Sequence, residues 1–374
     1  MKSERRPRRE STGRPTVYDV AELAGVSTAT VSFSFSRPER VREETRRAVL
    51  EAADALGYVP SAAARGLARG KTGAIGLYAF DYLLDPAEEP ATEERLVERA
   101  LARSDARLFP LYSDEVQRGV QLECRRNGYA LMLGAGHAAH APGVIDVAGR
   151  VDGLITFAGA APHDVLVQLA SRIPIVELGG SGRRPGIRTV LVDQRTAMAE
   201  LVSHLVTTHG HRRFAYFGEL DIPEFAARYA GVGDVLTAAG LPVPAAVTSH
   251  PGDDESTVRA VRQVLAGELP DAIVCSTDQE ALVAIRVLAE AGMRVPHDIA
   301  VTGFDGVIAG RLSSPVLTTV RQPMEAVGRV AVRVLLDVLR GDGAGGRAAD
   351  ADAVLPSRLW LGVSCGCSVD DAQS

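Results

Sequence analysis

The sequence predicts a small all-α head over residues 16–60 followed by a larger α/β body over residues 72–370. Two patterns carry that division. Up to Leu56 the apolar residues recur at intervals of three and four and the segments stop on glycine, which marks short helices. Beyond Lys71, short runs of buried-type strand residues alternate with amphipathic helical patterns, which marks parallel sheets covered by helices. Charge divides at the same point. Through Lys71 there are 14 Lys and Arg against 9 Asp and Glu, and beyond it 27 against 38, so a head of balance +5 precedes a body of balance −11. Positive charge confined to one end suits phosphate contact there and not elsewhere.

Residues 1–15 are Arg-rich, lack hydrophobic periodicity and read as a flexible basic arm. Val17, Val20, Ala21 and Ala24 then form one helical stripe, and Gly25 supplies the left-handed residue that ends it. Ser27 is placed to cap a second helix over residues 28–36. A third spans residues 43–56, with Ala48, Val49, Ala52, Ala53 and Leu56 on its apolar side and Gly57 as its stop. Periodicity alone fits any three-helix bundle, but the short turn between the first two helices is the helix-turn-helix plan, whose second helix enters the major groove.

The residues narrow this further. Tyr18-Asp19-Val20-Ala21, Ala24-Gly25-Val26-Ser27, Thr30-Val31-Ser32, Thr45-Arg46, Leu56-Gly57-Tyr58 and Pro60 together closely resemble the head of the lactose-repressor (LacI/GalR) family, without a gap for about 50 residues. The resemblance implies that Thr28, Ala29 and Phe33 read bases, that Ser27, Thr30 and Ser32 contact phosphates, and that Tyr18 belongs to the same DNA-facing set. The family commonly has Arg where Phe33 stands and Asn where Ser36 stands, while Ser34 takes a usually apolar position and Arg42 a helix-capping one. Phe33 donates no hydrogen bond and reads only apolar edges such as a thymine methyl, so discrimination shifts toward apolar contact and DNA shape. Residues 61–71 match the family's hinge helix. There Ser61 and Ala64 fall at DNA-facing positions, and Leu67 is the wedge that enters the minor groove. Gly66 and Gly70 weaken that helix in isolation, which suits a segment that orders only on DNA.

In the body, AIGLYAF (74–80), YALMLG (129–134), GLITFAG (153–159), IPIVELG (173–179), FAYFGEL (214–220), AIVCSTD (272–278) and IAVTGFD (299–305) read as strands. The body resembles the family's effector-binding core, which implies a periplasmic-binding-protein-like (type I) fold: two doubly wound parallel-sheet subdomains joined by three crossovers. On that reading subdomain 1 covers about 72–208 and 319–340, and subdomain 2 about 210–318 and 342–369. Arg228 with Gly231 matches the family's Arg-x-x-Gly, Asp278 ends one strand, and Asp305 matches its Gly-Phe/Tyr-Asp; Asp193 and Gln194 match an Asp-Asn pair, and Tyr112 a ligand-touching aromatic. Tyr112, Asp193, Arg228, Asp278 and Asp305 are the expected effector-binding residues. Carboxylates that accept from hydroxyls and a guanidinium that donates suit a small polar, sugar-like ligand. An insertion at about 81–110 departs from the family. Entering near the cleft mouth, it is open to three uses: covering the pocket, enlarging a dimer contact, or decorating the surface.

Other signals point nowhere specific. No run reaches the roughly 18–20 apolar residues that span a bilayer, and no apolar segment follows the basic N-terminus, so a cytoplasmic protein without membrane contact is expected. Cys124, Cys275, Cys365 and Cys367 are too scattered for a disulfide framework. The Cys365-x-Cys367 pair has no further ligand nearby in the chain, and His204 and His211 match family His-Leu and Gly-His positions, so neither metal nor cofactor is expected. Gly134-Ala135-Gly136 meets a dinucleotide pattern, but Pro142 and Gly143 follow too soon for the glycines to open a helix. No catalytic constellation is marked by spacing, and an enzyme is not expected. The sequence therefore implies a homodimeric transcriptional regulator, a repressor, on a near-palindromic double-stranded operator, with a small-molecule effector between its core subdomains. Two alternatives stay open: an α/β enzyme with a DNA-binding head, and a constitutive DNA binder with a vestigial pocket.

Overall fold

The structure is a computed structural model that describes residues 15–59, 71–80, 111–136, 141–180, 184–250, 253–341, 353–368 and 370. The chain divides into two units at Gly73/Ala74.

In the head, helices α1 (Val17–Ala24), α2 (Thr28–Ser36) and α3 (Glu43–Leu56) close over Val20, Val31 and Val49, each wholly buried, with Ala21, Ala52 and Ala53 between them. Local chemistry sets each boundary. Asp19 accepts from both the N–H and the hydroxyl of Thr16 at 2.7 Å, which fixes the start of α1 and holds that carboxyl below its usual range. Gly25 and Gly57 end α1 and α3 at φ 65° and 64°. Ser27 caps α2 by accepting from the Thr30 N–H at 3.1 Å. Ser34, polar where an apolar residue is usual, is buried without penalty because its hydroxyl donates to the Thr30 carbonyl. Arg42 occupies the α3 cap position and makes no side-chain cap bond.

The core begins with β1 (Ala74–Phe80), α4 (Leu111–Arg126), β2 (Ala130–Gly136), α5 (Ala141–Ala148), β3 (Gly153–Phe157), α6 (His163–Ala170), β4 (Ile175–Leu178) and β5 (Ile187–Val192). It continues through α7 (Gln194–Thr207), β6 (Phe214–Phe217), α8 (Pro223–Ala238), β7 (Ala246–Val247), α9 (Asp254–Leu265) and β8 (Ala272–Cys275). After these come α10 (Asp278–Glu290), β9 (Ala300–Asp305), α11 (Ile308–Leu312), β10 (Thr318–Arg321), α12 (Met324–Arg340), β11 (Ala353–Leu355) and β12 (Arg358–Trp360). Two six-stranded sheets result, ordered β11-β5-β4-β3-β1-β2 and β12-β10-β9-β8-β6-β7, parallel throughout except for the β10–β12 pair. Each repeats the doubly wound order in which the second strand lies outside the first, so each has a switch point with a crevice at its carboxyl ends.

The crossovers fall at residues 193, 322–323 and 356–357, which corrects the expected borders near 209, 319 and 341. Packing explains the differences. Met198, Leu201, Val202 and Leu205 of α7 bury against Tyr216, Val232 and Leu236, so α7 belongs to the second half. Strand β10 pairs with β9, β11 pairs with β5 of the first sheet and β12 pairs with β10 of the second, so the chain crosses for the third time between β11 and β12. Helix α12 returns to the first core, where Val327, Ala331 and Leu335 pack with Val116, Leu154 and Ile155. It crosses α4 closely because Gly328 lacks a Cβ, which would lie 2.2 Å from the Val116 carbonyl oxygen.

Gly134 and Gly136 lie within β2 and open no helix, and Asp278 begins α10 instead of ending β8. No helix among the described residues is long and apolar enough to cross a membrane. The expected hinge residues Ser61, Ala64 and Leu67, and the insertion at 81–110, lie outside the described residues.

Candidate functional site

At the carboxyl end of the second sheet four side chains form a closed ring. Arg228, on α8, donates from Nε to Gln194 Oε1 at 2.8 Å and places Nη2 3.6 Å from Asp305 Oδ1. Gln322 Nε2 donates to the same Asp305 oxygen at 2.7 Å, and Gln194 Nε2 reaches Gln322 Oε1 at 3.4 Å. Gln194 directly follows the first crossover and Gln322 lies in the second, so the ring joins the Arg–Asp pair to two of the three strands that connect the halves.

Two aromatic rings lie against the guanidinium. Its carbon lies 3.8 Å from the Phe304 ring centre and 5.0 Å from that of Phe225, and Nη1 donates to the Ser276 carbonyl. Asp305 ends β9 at φ 118°, a conformation that strains a residue with a Cβ and that the surrounding bonds must maintain. Burial pushes its carboxyl up to about 6, with Arg228 and Gln322 pulling the other way. Charge, aromatic faces and amide groups thus meet at one point with the chemistry of a polar-ligand site.

The first half supplies a different surface. Phe157 meets Phe80 and Tyr112 at ring distances of 6.0 and 6.1 Å, all three near the carboxyl end of the first sheet. Polar contacts run between the halves among the described residues. Arg321 pairs with Glu115 of α4 through both carboxylate oxygens, at 3.1 and 2.7 Å, and also donates to the Gly306 carbonyl at 2.7 Å. Glu224 of α8 accepts from the Gly180 N–H, beside the pair that buried Glu177 makes with half-buried Arg184.

The other expected effector residues part company. Asp193 caps α7, accepting from the Thr196 N–H at 3.1 Å. Asp278 is wholly buried and occupied internally, accepting from the Val307 N–H at 2.7 Å and from the Thr319 hydroxyl. Burial and the neighbouring Asp305 hold its carboxyl well above the usual range, and its bond to the Val307 N–H steadies the turn after β9. Gln322, Glu115, Arg321 and Glu224 carried no distinctive sequence pattern. Only Gln194, beside Asp193 in the matched pair, had a signal that could have found it.

On the head, Tyr18, Ala29, Ser32 and Phe33 are exposed, and Thr28 and Thr30 half-buried. The Ser27 and Thr30 hydroxyls lie 2.9 Å apart, so the cap that starts α2 also orients two of the expected phosphate-contacting groups. The exposed surface of α2 offers one aromatic ring, a methyl and hydroxyls.

Comparison with known proteins agrees with both regions. Residues 16–61 match the family described as bacterial regulatory proteins, lacI family, and residues 202–365 match the periplasmic binding protein-like domain. The HTH-type transcriptional repressor PurR of Erwinia tasmaniensis is 33% identical over 331 residues, covering 86% of this chain and 89% of that protein; PurR of Klebsiella pneumoniae strain 342 is 32% identical over the same length. Among solved structures, the lac repressor dimer bound to operator and the anti-inducer ONPF is similar at TM-score 0.76 with 26% identity, covering 94% of this chain and 99% of that one. The complex of the transcriptional regulator CelR with cellobiose is similar at TM-score 0.60 with 28% identity, covering 94% and 100%. The chain therefore belongs to the LacI family, and is a DNA-binding transcriptional repressor under the control of a small-molecule effector, not an enzyme.

Proposed function

We propose that the protein acts as a homodimer on a near-palindromic operator, and that its effector is a small polyhydroxylated, sugar-like metabolite held between the core halves at Arg228 and Asp305. The observation that carries the ligand class is the buried Arg228–Asp305 pair, its guanidinium against the Phe225 and Phe304 rings. A carboxylate accepts from ligand hydroxyls, and a guanidinium donates to ligand oxygens. The similarity to a cellobiose complex supports the same class.

On this reading α2 enters the major groove with Thr28, Ala29 and Phe33 toward the bases, while Ser27, Thr30, Ser32 and Tyr18 hold phosphates. The hinge segment, with Ser61, Ala64 and Leu67, orders on the operator, and Leu67 unstacks a base step as it does so. Ligand enters the ring of Gln194, Arg228, Asp305 and Gln322 and alters the crossovers that Gln194 and Gln322 anchor. It shifts the operator-binding equilibrium only by its differential affinity for the two arrangements of the halves.

Thermal-shift screening of sugars, polyols and nucleosides, followed by operator binding with each hit, tests this. A sugar or polyol that raises the unfolding midpoint and changes operator affinity supports the ligand class. A panel in which only nucleosides do both rejects it.

A further inference from the structure

The second half of the core carries a cluster that the repressor reading does not use. His204 stands in the last turn of α7, His209 lies two residues beyond its end, and Cys365 and Cys367 flank Gly366 in the turn after β12. No further ligand lies near the cysteines in the chain; the fold brings two, from 156 to 163 positions away. One ligand atom from each of the four residues lies within 4.8 Å of all the others. His204 Nε2 is 3.1 Å from His209 Nε2, 3.4 Å from Cys367 Sγ and 3.8 Å from Cys365 Sγ, and His209 Nε2 is 3.5 Å from Cys367 Sγ.

Those separations can be set against a single tetrahedral ion. Zinc–sulfur bonds of about 2.3 Å and zinc–nitrogen bonds of about 2.0–2.1 Å give tetrahedral edges of about 3.3 Å between nitrogens, about 3.6 Å between nitrogen and sulfur, and about 3.8 Å between sulfurs. Four of the six separations lie within about 0.3 Å of these edges, and all six lie within 4.8 Å. Hydrogen bonding accounts for it poorly, since a neutral imidazole Nε2 carries either one proton or one lone pair, and that of His204 faces three partners at once. The backbone is shaped around the same point. Gly366 sits at φ 109°, and a Cβ there would come within 3.2 Å of the His209 ring, so the Cys-Gly-Cys turn closes only with glycine. Both cysteines are buried and neither is in a disulfide, and both histidines are partly buried.

We propose that His204, His209, Cys365 and Cys367 bind one Zn2+ as a structural site. Binding deprotonates both thiols, releases two protons to solvent, and leaves two thiolates and two neutral imidazoles around the dication, with no net charge to bury. All four positions are filled by protein, so no place remains for a catalytic water. Ligand atoms this close surround one ion; a two-iron cluster that gave the histidines to one iron and the cysteines to the other would spread the pairs apart. The site ties the exit of α7 to the turn that follows the third crossover. Cys365 Sγ also accepts from the Thr318 hydroxyl at 3.0 Å, so the same staple touches the start of β10.

The test uses the full-length protein purified without chelator from zinc-supplemented growth. Elemental analysis should find one zinc per chain after gel filtration. Removing it should lower the unfolding midpoint by about 5 °C or more, reversed by Zn2+. Replacement by Co2+ should give intense tetrahedral visible bands with thiolate-to-cobalt charge transfer. His209→Ala and Cys367→Ser should each lose stoichiometric zinc and the midpoint response. Wild-type protein that is folded but retains only substoichiometric zinc overturns the proposal, as does a cobalt spectrum without thiolate bands. A Cys365–Cys367 disulfide under reducing purification, an iron–sulfur absorption spectrum, or zinc content unchanged in both variants would overturn it equally.

Discussion

Gln322 holds Asp305 twice: its side-chain Nε2 donates to the Asp305 carboxylate at 2.7 Å and its backbone N–H donates to the Asp305 carbonyl at 3.0 Å. One residue of the second crossover is thereby fastened to the candidate ligand carboxylate. Gln322→Leu keeps the bulk and removes the side-chain bond. Effector affinity measured by calorimetry should fall by less than about tenfold, while the effector-dependent change in operator affinity should shrink more, because the lost interaction carries coupling free energy, typically about 1–3 kcal/mol. Equal loss in both quantities would place Gln322 in ligand binding alone.

Asp305 should make effector binding depend on pH. Burial raises its carboxyl to about 6, so the folded protein keeps a proton that the unfolded chain has already lost. The stability it contributes is greatest below the ordinary carboxylate range and declines as pH rises through about 6. Ligand hydroxyls prefer the ionised form, so effector affinity should rise by up to about tenfold per pH unit from about pH 5 and level off above about pH 7. Calorimetric titration across that range should show the rise in the wild type and a flat profile in Asp305→Asn.

Phe33 is 39% exposed on α2 and presents no donor. Phe33→Arg should move the selected base at one position of each half-site toward guanine, with discrimination of about 1–3 kcal/mol. Selection from a randomised operator library measures this, and an unchanged consensus would mean that Phe33 faces no base.

Two glycine substitutions in the core should act in opposite senses. A Cβ at Gly328 meets the Val116 carbonyl at 2.2 Å and the Val120 nitrogen at 2.7 Å, so Gly328→Ala should push α12 from α4 and cost about 1–3 kcal/mol. At Gly233, inside α8, nothing lies closer than the Val243 Cγ1 at 3.9 Å, so Gly233→Ala should stabilise by about 0.5–1 kcal/mol. Chemical denaturation of the two variants reads both signs.

The legible parts of the fold were those where burial writes a local pattern. The run at Ile75–Tyr78 and the wholly buried β3 could only be central strands, and Gly25, Ser27 and Gly57 marked helix ends by backbone and capping chemistry. IRTVLV of β5 and TTVR of β10 mix polar and apolar residues, and they become strands only because neighbours at β4 and β9 supply the ladder. Arg228 and Asp305 were found by resemblance. Glu115 and Arg321 lie 206 positions apart and owe their pairing to the approach of two half-domains, which no local window contains. Distance in the chain also hid His204 and His209 from Cys365 and Cys367.

On the proposed function, occupancy of the Arg228–Asp305 site changes DNA binding, and fluorescence anisotropy of labelled operator, titrated with wild-type protein with and without a saturating cleft ligand, tests this most directly. Operator affinity should shift by about five- to 150-fold, the range of ordinary allosteric coupling, and the shift should vanish in Asp305→Asn. Superimposable curves for a ligand that calorimetry shows to be bound at Asp305 would contradict it.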